Sequence, residues 1–262
     1  MPLIPLQQSI IYGPILSRRL GRSLGVNLFP AYRKVCPFDC GYCHFGATTD
    51  HVQSAIGLPQ TALSRIPPVA QVLAAVEEHL KSDLEFEYVT LSGNGEPTLY
   101  PDFAELVPLI QQAIQRQRPL VKLCLLSNSA RVMDESLYPA FALIDVPIFK
   151  LDAGDQPTFE AINHPCPGLK IEDIIQGLKI LARRQQLIIQ TVMADGPKRN
   201  YEGTAFLAWV AAIRHIRPAE IQIYTTDRPV ADANIRKLST AQLDAIVARV
   251  RERTGVATKA YY

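Results

Sequence analysis

Three cysteines, Cys36, Cys40 and Cys43, fall within the eight residues Cys36-Pro37-Phe38-Asp39-Cys40-Gly41-Tyr42-Cys43. A C-x3-C-x2-C loop brings three soft thiolates to one metal centre without supplying a fourth. In a four-iron cubane this leaves one iron open to an outside ligand. The spacing also admits zinc, completed by His44 or His51, because zinc sites use four Cys or His ligands. Adjacent Cys43 and His44 would strain to share one tetrahedral ion, whereas His51 has the reach.

Three further clusters bear groups capable of chemistry. Ser92-Gly93-Asn94-Gly95-Glu96-Pro97 follows an apolar run, so its glycines would let backbone approach a ligand and Glu96 would stand at a strand's carboxyl end. By itself such a turn is equally a tight connection. In Val146–Asp152, alternation puts Ile148, Lys150 and Asp152 on one face and Phe149 and Leu151 on the other. If the aromatic face packs on helices, Lys150 and Asp152 point inward, as a simple ion pair or as ligand-binding groups. An inward Lys150 is also a candidate for Schiff-base catalysis on a carbonyl substrate. The run Ser17-Arg18-Arg19-Leu20-Gly21-Arg22, together with Arg228, offers guanidinium groups for a substrate carboxylate or phosphate, or forms a solvated basic surface. Gln190, Gln222 and Tyr224 are candidates for the same interior. Cys124 reads as a small core residue, and Cys166, between two prolines, has no evident partner.

The elements that position these groups alternate between strand and helix. Strands are expected at 24–29, 86–92, 121–127, 146–152, 187–193 and 220–225. Between them, Val69, Val72, Leu73, Val76 and Leu80 share a helical face after Pro67-Pro68, and Asp102 with Glu105 suggests a capping box ahead of a helix that contains Pro108. Further apolar stripes begin at Ile171 and Phe206, and Ser239 with Gln242 suggests another capped helix. A shorter helix is expected over 134–143. Repeated βα units imply a parallel sheet, and six strands fall short of the eight of a closed barrel. The fold class is therefore α/β, a partial (βα)6 TIM-like barrel. One domain is expected over 1–262, with 1–22 as an N-terminal extension and 46–65 as an irregular loop or lid.

The 262 residues are 48% hydrophobic and 20% charged, with a net charge of +2, which does not by itself announce a nucleic-acid partner. Five cysteines, three of them in one loop, suit metal binding in a reducing compartment better than a disulfide framework. The start of the chain lacks the pattern of a secretory signal, and no apolar run reaches the ~18 residues of a membrane span. A cytoplasmic protein is expected.

Taken together, the arginine run continuing through Leu24-Gly25-Val26-Asn27, the cysteine loop, Ser92–Leu99, Lys150-Leu151-Asp152-Ala153 and Asp227-Arg228-Pro229 resemble the radical S-adenosylmethionine (SAM) superfamily. More narrowly, they resemble its wyosine-synthase-like group. The resemblance implies that Cys36, Cys40 and Cys43 ligate a 4Fe–4S cluster and that Tyr42 lies near the SAM adenine. Asn94, Gly95 and Glu96 match the motif that holds the SAM amino group. Asn128 and Asp152 match positions near the ribose and methionyl moiety. It further implies a separate one-electron donor, flavodoxin or ferredoxin, and reductive SAM cleavage to a 5′-deoxyadenosyl radical acting on an unidentified substrate. Wyosine synthases modify a tRNA guanosine with a second cluster on additional N-terminal cysteines, and no cysteine precedes Cys36 here. tRNA modification is thus a second reading, with Arg18, Arg19, Arg22 and Arg228 as phosphate contacts. A non-catalytic zinc-binding or nucleic-acid-binding module is a third, and a glycyl-radical activase ranks below these for want of extra ferredoxin-type cysteines.

Overall fold

The computed structural model describes residues 3–262. Six strands fall on the six apolar runs, the first displaced three residues toward the N-terminus: β2 (Gly21–Val26), β5 (Tyr88–Leu91), β6 (Lys122–Ser127), β7 (Val146–Lys150), β8 (Ile188–Val192) and β9 (Glu220–Tyr224). They pair in parallel in that order. The sheet gains a strand at each edge, so its order is β1-β2-β5-β6-β7-β8-β9-β10. Here β1 (Ile11–Ser17) runs antiparallel to β2, and β10 (Thr258–Tyr261) runs parallel to β9. The two edges do not pair, leaving a curled half-barrel. Part of the expected N-terminal extension is consequently a strand of the sheet.

Helices cover the convex side. α2 (Val69–Lys81), α3 (Phe103–Gln117), α6 (Ile171–Arg184), α7 (Gly203–Ile216) and α8 (Thr240–Thr254) match the apolar stripes. α4 (Tyr138–Phe141) and α5 (Gln156–Asn163) are shorter. Val89, Leu91, Leu123, Leu125, Phe149 and Leu151 face these helices and join the main core. The opposite strand face carries Cys124 and Ile148 into a separate internal cluster with Leu20, from the β1–β2 turn. The hairpin turn therefore plugs the lower lumen, because a half-barrel must fill its interior with side chains from somewhere.

Two caps differ in outcome. Ser239 and Gln242 form the reciprocal capping box at α8. Asp102 makes no side-chain cap at α3, so that expected box is not formed, and Pro108 is accommodated inside a continuous helix. Within 46–65, β4 (Asp50–His51) pairs with β3 (Val35–Cys36), and α1 (Gln60–Leu63) adds a single turn. Arg33 grips Asp50 with two guanidinium hydrogen bonds, so the start of this segment is a clasp on the cysteine loop.

Candidate active site

The site lies at the carboxyl ends of the parallel strands, where α/β barrels place their chemistry. The cysteine loop is sewn across this mouth by its backbone. Val35 N–H donates to Asn94 O at 3.0 Å, and Glu96 N–H to Val35 O at 2.9 Å. Asp39 and Gly41 N–H donate to Asn163 and Ile162 O, both at 3.1 Å. Gly95 makes this approach possible. Its φ is +134°, and a Cβ there would lie 1.8 Å from Val35 O. Phe38 completes the seam edge-on to Phe159, with ring centroids 5.2 Å apart. Cys166 is buried behind the loop, its N–H on Pro37 O at 2.8 Å.

Two amides reach the cysteine sulfurs. Asn128 Nδ2 donates to Cys36 Sγ at 3.3 Å, and Asn163 Nδ2 lies 3.4 Å from Cys40 Sγ. Burial pushes the Cys36 thiol well above its ordinary value and raises Cys40 to about 11. Metal binding would reverse this by favouring the thiolates. Lys34 is buried on the inner side of the same loop, with Nζ 2.6 Å from Gly46 O and 3.8 Å from Asp39 Oδ1. Burial lowers its pKa, but the neighbouring Cys43, Cys36 and Cys40 more than compensate and hold it above the usual lysine value.

Across the mouth, Glu96 is almost fully buried yet accepts four hydrogen bonds. Oε1 takes Thr98 N–H at 3.1 Å, the Thr98 hydroxyl at 2.7 Å and the Ser127 hydroxyl at 2.9 Å. Oε2 takes Asn128 N–H at 2.6 Å. Burial raises its pKa while these donors oppose the rise.

Asp152 is the second anchored carboxylate. It accepts from Val192 N–H at 2.8 Å, Asn163 Nδ2 at 2.9 Å and the Tyr42 hydroxyl, and Lys150 Nζ stands 3.3 Å away. Lys150 also donates to the Tyr224 hydroxyl at 3.0 Å and sits 4.9 Å from the Tyr42 and Tyr224 ring centroids. Burial lowers the Lys150 pKa, but Asp152 and Tyr224 outweigh it and hold the ammonium above its ordinary range. Lys150 is thus a persistent cation in the resting site. Burial, followed by the Asp152 charge, pushes Tyr42 well above an ordinary phenol.

The structure brings together Cys36, Cys40, Cys43, Tyr42, Gly95, Glu96, Asn128 and Lys150 around one cavity that also includes Arg19, Lys34, Gln190 and Tyr224. Asp152 stands directly behind them. Asn94 is not among the residues lining this cavity. Its side chain accepts Gln7 N–H at 2.7 Å and donates to Gln7 and Pro30 O, which fixes the N-terminal segment and turns it away from the cavity.

The arginines also separate. Arg19 lies over the Tyr224 ring at 4.5 Å, and Arg18 pairs with Asp227 at 2.7 Å. Arg22 begins β2 at the far end of the sheet, paired with Glu85 at 2.5 Å, and Arg228 is exposed in the loop after β9. Four arginines therefore do not share one rim. Lys34 and Asn163 were not marked by the sequence pattern. Lys34 sits two residues before Cys36, which is a usable signal, whereas Asn163 comes from another element with no motif around it.

Three thiolates without a fourth are the donor set that a 4Fe–4S cluster with one open iron would take. His44 and His51 each direct a ring nitrogen to a backbone carbonyl, of Pro229 and Pro37 respectively.

Residues 33–210 match the radical SAM superfamily model, and the chain belongs to that superfamily. Its members are enzymes, and membership implies SAM, a 4Fe–4S cluster and an external electron donor in general terms. The chain is 29% identical over 223 residues to a UPF0026 protein of Helicobacter pylori, covering 84% of this chain and 67% of that one.

Two solved structures share the fold. Streptococcus suis SuiB bound to the precursor peptide SuiA gives a TM-score of 0.63 at 15% identity, covering 88% of this chain and 47% of SuiB. TYW1 with a lysine–pyruvate adduct bound gives 0.60 at 15% identity, covering 89% and 75%. The chain spans from 32% to 76% of the length of the curated relatives it matches. No helix among the described residues is long and apolar enough to cross a membrane.

Proposed function

We propose that Cys36, Cys40 and Cys43 hold a 4Fe–4S cluster whose open iron takes SAM, and that the substrate is attacked in the half-barrel lumen. The observation that carries this reading is the shared cavity, where three cysteines face an anchored glutamate, a buried Lys–Asp pair and two tyrosines. Bound there, the two cofactors would supply reductive SAM cleavage and the radical chemistry that removes a hydrogen atom from the substrate. The chain's own residues do the positioning. The Glu96 turn and Asn128 hold the cysteine loop and the far wall in register. Tyr42, oriented by Asp152 and Asn163, offers a fixed aromatic edge for the adenine. Lys150 supplies a positive charge for a carboxylate and stays protonated, so it acts in the resting site as an electrostatic group.

The electron would come from a flavodoxin or ferredoxin. Wyosine-type tRNA modification has less support. Arg18 and Arg19 reach the mouth, but Arg22 is held at the opposite end and Arg18 is already paired.

The test is anaerobic reconstitution followed by assay of 5′-deoxyadenosine with SAM and dithionite. About four irons per chain and measurable release are expected for the wild type, with release lost in Cys40→Ala. An iron-loaded wild-type protein that leaves SAM intact would overturn the proposal. Assays with total tRNA and with metabolite pools, compared for stimulation, identify the substrate class.

A further inference from the structure

We propose that the Lys34 ammonium is a built-in counter-charge for the cluster and sets its reduction potential. This rests on the reading above, that the three cysteines carry a 4Fe–4S centre. Lysine is almost never fully buried without a partner or task. The Lys34 side chain is only 4% exposed, and the one carboxylate near it, Asp39, is 3.8 Å away and 37% exposed. Its firm hydrogen bond, at 2.6 Å, goes to the neutral carbonyl of Gly46. The Asp39 oxygen it faces also accepts Thr48 N–H at 2.7 Å, which spreads that negative charge further. Among the described residues the cation thus has only a loose carboxylate partner, and it lines the same cavity as the three cysteines.

Taking up one electron from a flavodoxin- or ferredoxin-type donor adds one negative charge to the cluster and transfers no other group. A buried positive charge beside the sulfurs favours the state with that extra negative charge, and nearby charge and hydrogen bonding are among the factors that set cluster potentials. The backbone supports a fixed placement. Lys34 O accepts the N–H groups of Thr49 and Asp50 at 3.1 and 2.9 Å, and Lys34 N–H donates to Thr49 Oγ1 at 3.2 Å, so both ends of the loop meet at this residue. Lys34 could instead act only as a staple through Gly46. The two roles differ in what they do to potential.

The experiment is an EPR-monitored redox titration of anaerobically reconstituted wild type, Lys34→Met, Lys34→Arg and Asp39→Asn, with iron and sulfide counted for each. In Lys34→Met with full iron, the reduced-to-oxidised ratio at a fixed potential is expected to fall at least tenfold. That is a shift of about 59 mV to more negative potential for one electron. Lys34→Arg should remain near wild type. Asp39→Asn, which removes opposing charge, should shift the potential in the positive direction. A fully loaded Lys34→Met protein with the wild-type potential overturns the proposal. If Lys34→Met fails to hold iron, Asp39→Asn decides, and an unmoved potential there also overturns it. A wild-type protein that assembles no 4Fe–4S cluster overturns the underlying reading and this assignment with it.

Discussion

The lower and upper halves of the lumen are built from the same strand faces and do different work. Along β7, Ile148 packs in the floor against Leu20 and Cys124, whereas Lys150, two residues on, stands in the mouth beside Asp152. Along β6, Cys124 belongs to the floor and Asn128, beyond the strand, reaches Cys36. The floor satisfies polar groups internally, as in the Ser23–Thr90 contact at 2.6 Å. The mouth instead concentrates buried charge and holds it in place with neutral donors. A single pleat step, about 7 Å along a strand, thus separates packing from chemistry. Substitutions in the two halves should fail in different ways.

The largest effect is expected at the mouth's backbone seam. In Gly95→Ala the new methyl group meets Val35 O, a backbone atom tied into the cysteine loop, at a φ that L-residues rarely adopt. Neither side of the contact can swing away as a side-chain tip would. A stability loss on the order of 4 kcal/mol is expected, with iron content falling in parallel. Urea unfolding and iron analysis check both. An iron-replete variant of wild-type stability would show that the seam is softer than its geometry implies.

A smaller loss, about 3 kcal/mol, is expected for Asp152→Asn, which keeps the shape but leaves Lys150 buried without its counter-ion. The pH dependence gives the sign. In the wild type the raised Lys150 pKa contributes stability below the ordinary lysine value, and that contribution is lost as pH rises through the raised value. Without Asp152 the dominant influence on Lys150 is burial, which lowers its pKa, so losing the proton relieves the variant. The stability gap between wild type and variant should therefore be widest near neutrality and narrow toward pH 10. A gap that stays constant with pH would mean that the carboxylate acts through Tyr42 and Asn163 alone.

How far the two halves were legible in the sequence follows from how each is made. The six central strands stand out because parallel strands covered on both faces read as apolar runs. Edge strand β1 is only partly buried along its length, with Leu16 81% exposed, and β10 is four residues long, so neither leaves such a run. Lys150 and Asp152 were legible from two-residue alternation, and Glu96 from its place after a strand. Asn94 stands in the same motif, but its side chain answers to Gln7 and Pro30, partners that no local spacing reveals. Asn163 ends α5 and meets Cys40, Tyr42 and Asp152 only through tertiary folding. The arginine run is the clearest limit. Its members are close in sequence, yet the turn between β1 and β2 carries Arg19 to Tyr224 while Arg22 stays with Glu85 at the opposite end.

The smallest expected effect belongs to the floor and appears only at alkaline pH. Burial pushes the Cys124 thiol up to about 12, against an unfolded value near 9.0, with Thr90 and Arg19 only partly opposing it. An acid whose folded pKa is raised contributes stability below its unfolded pKa and loses it as pH climbs toward the folded one. Between pH 9 and pH 10 the unfolded chain releases this proton and the folded chain keeps it, which costs about 1 kcal/mol of stability. Cys124→Ala removes that loss while paying a pH-independent penalty for the small cavity. The variant should start less stable at pH 7 and lose ground more slowly than wild type from pH 9 to pH 10 in urea titrations. Parallel pH curves would mean that the floor admits enough water for Cys124 to ionise as it does in the unfolded chain. The division between a dry, packed floor and a charged mouth would then have to be drawn lower in the lumen.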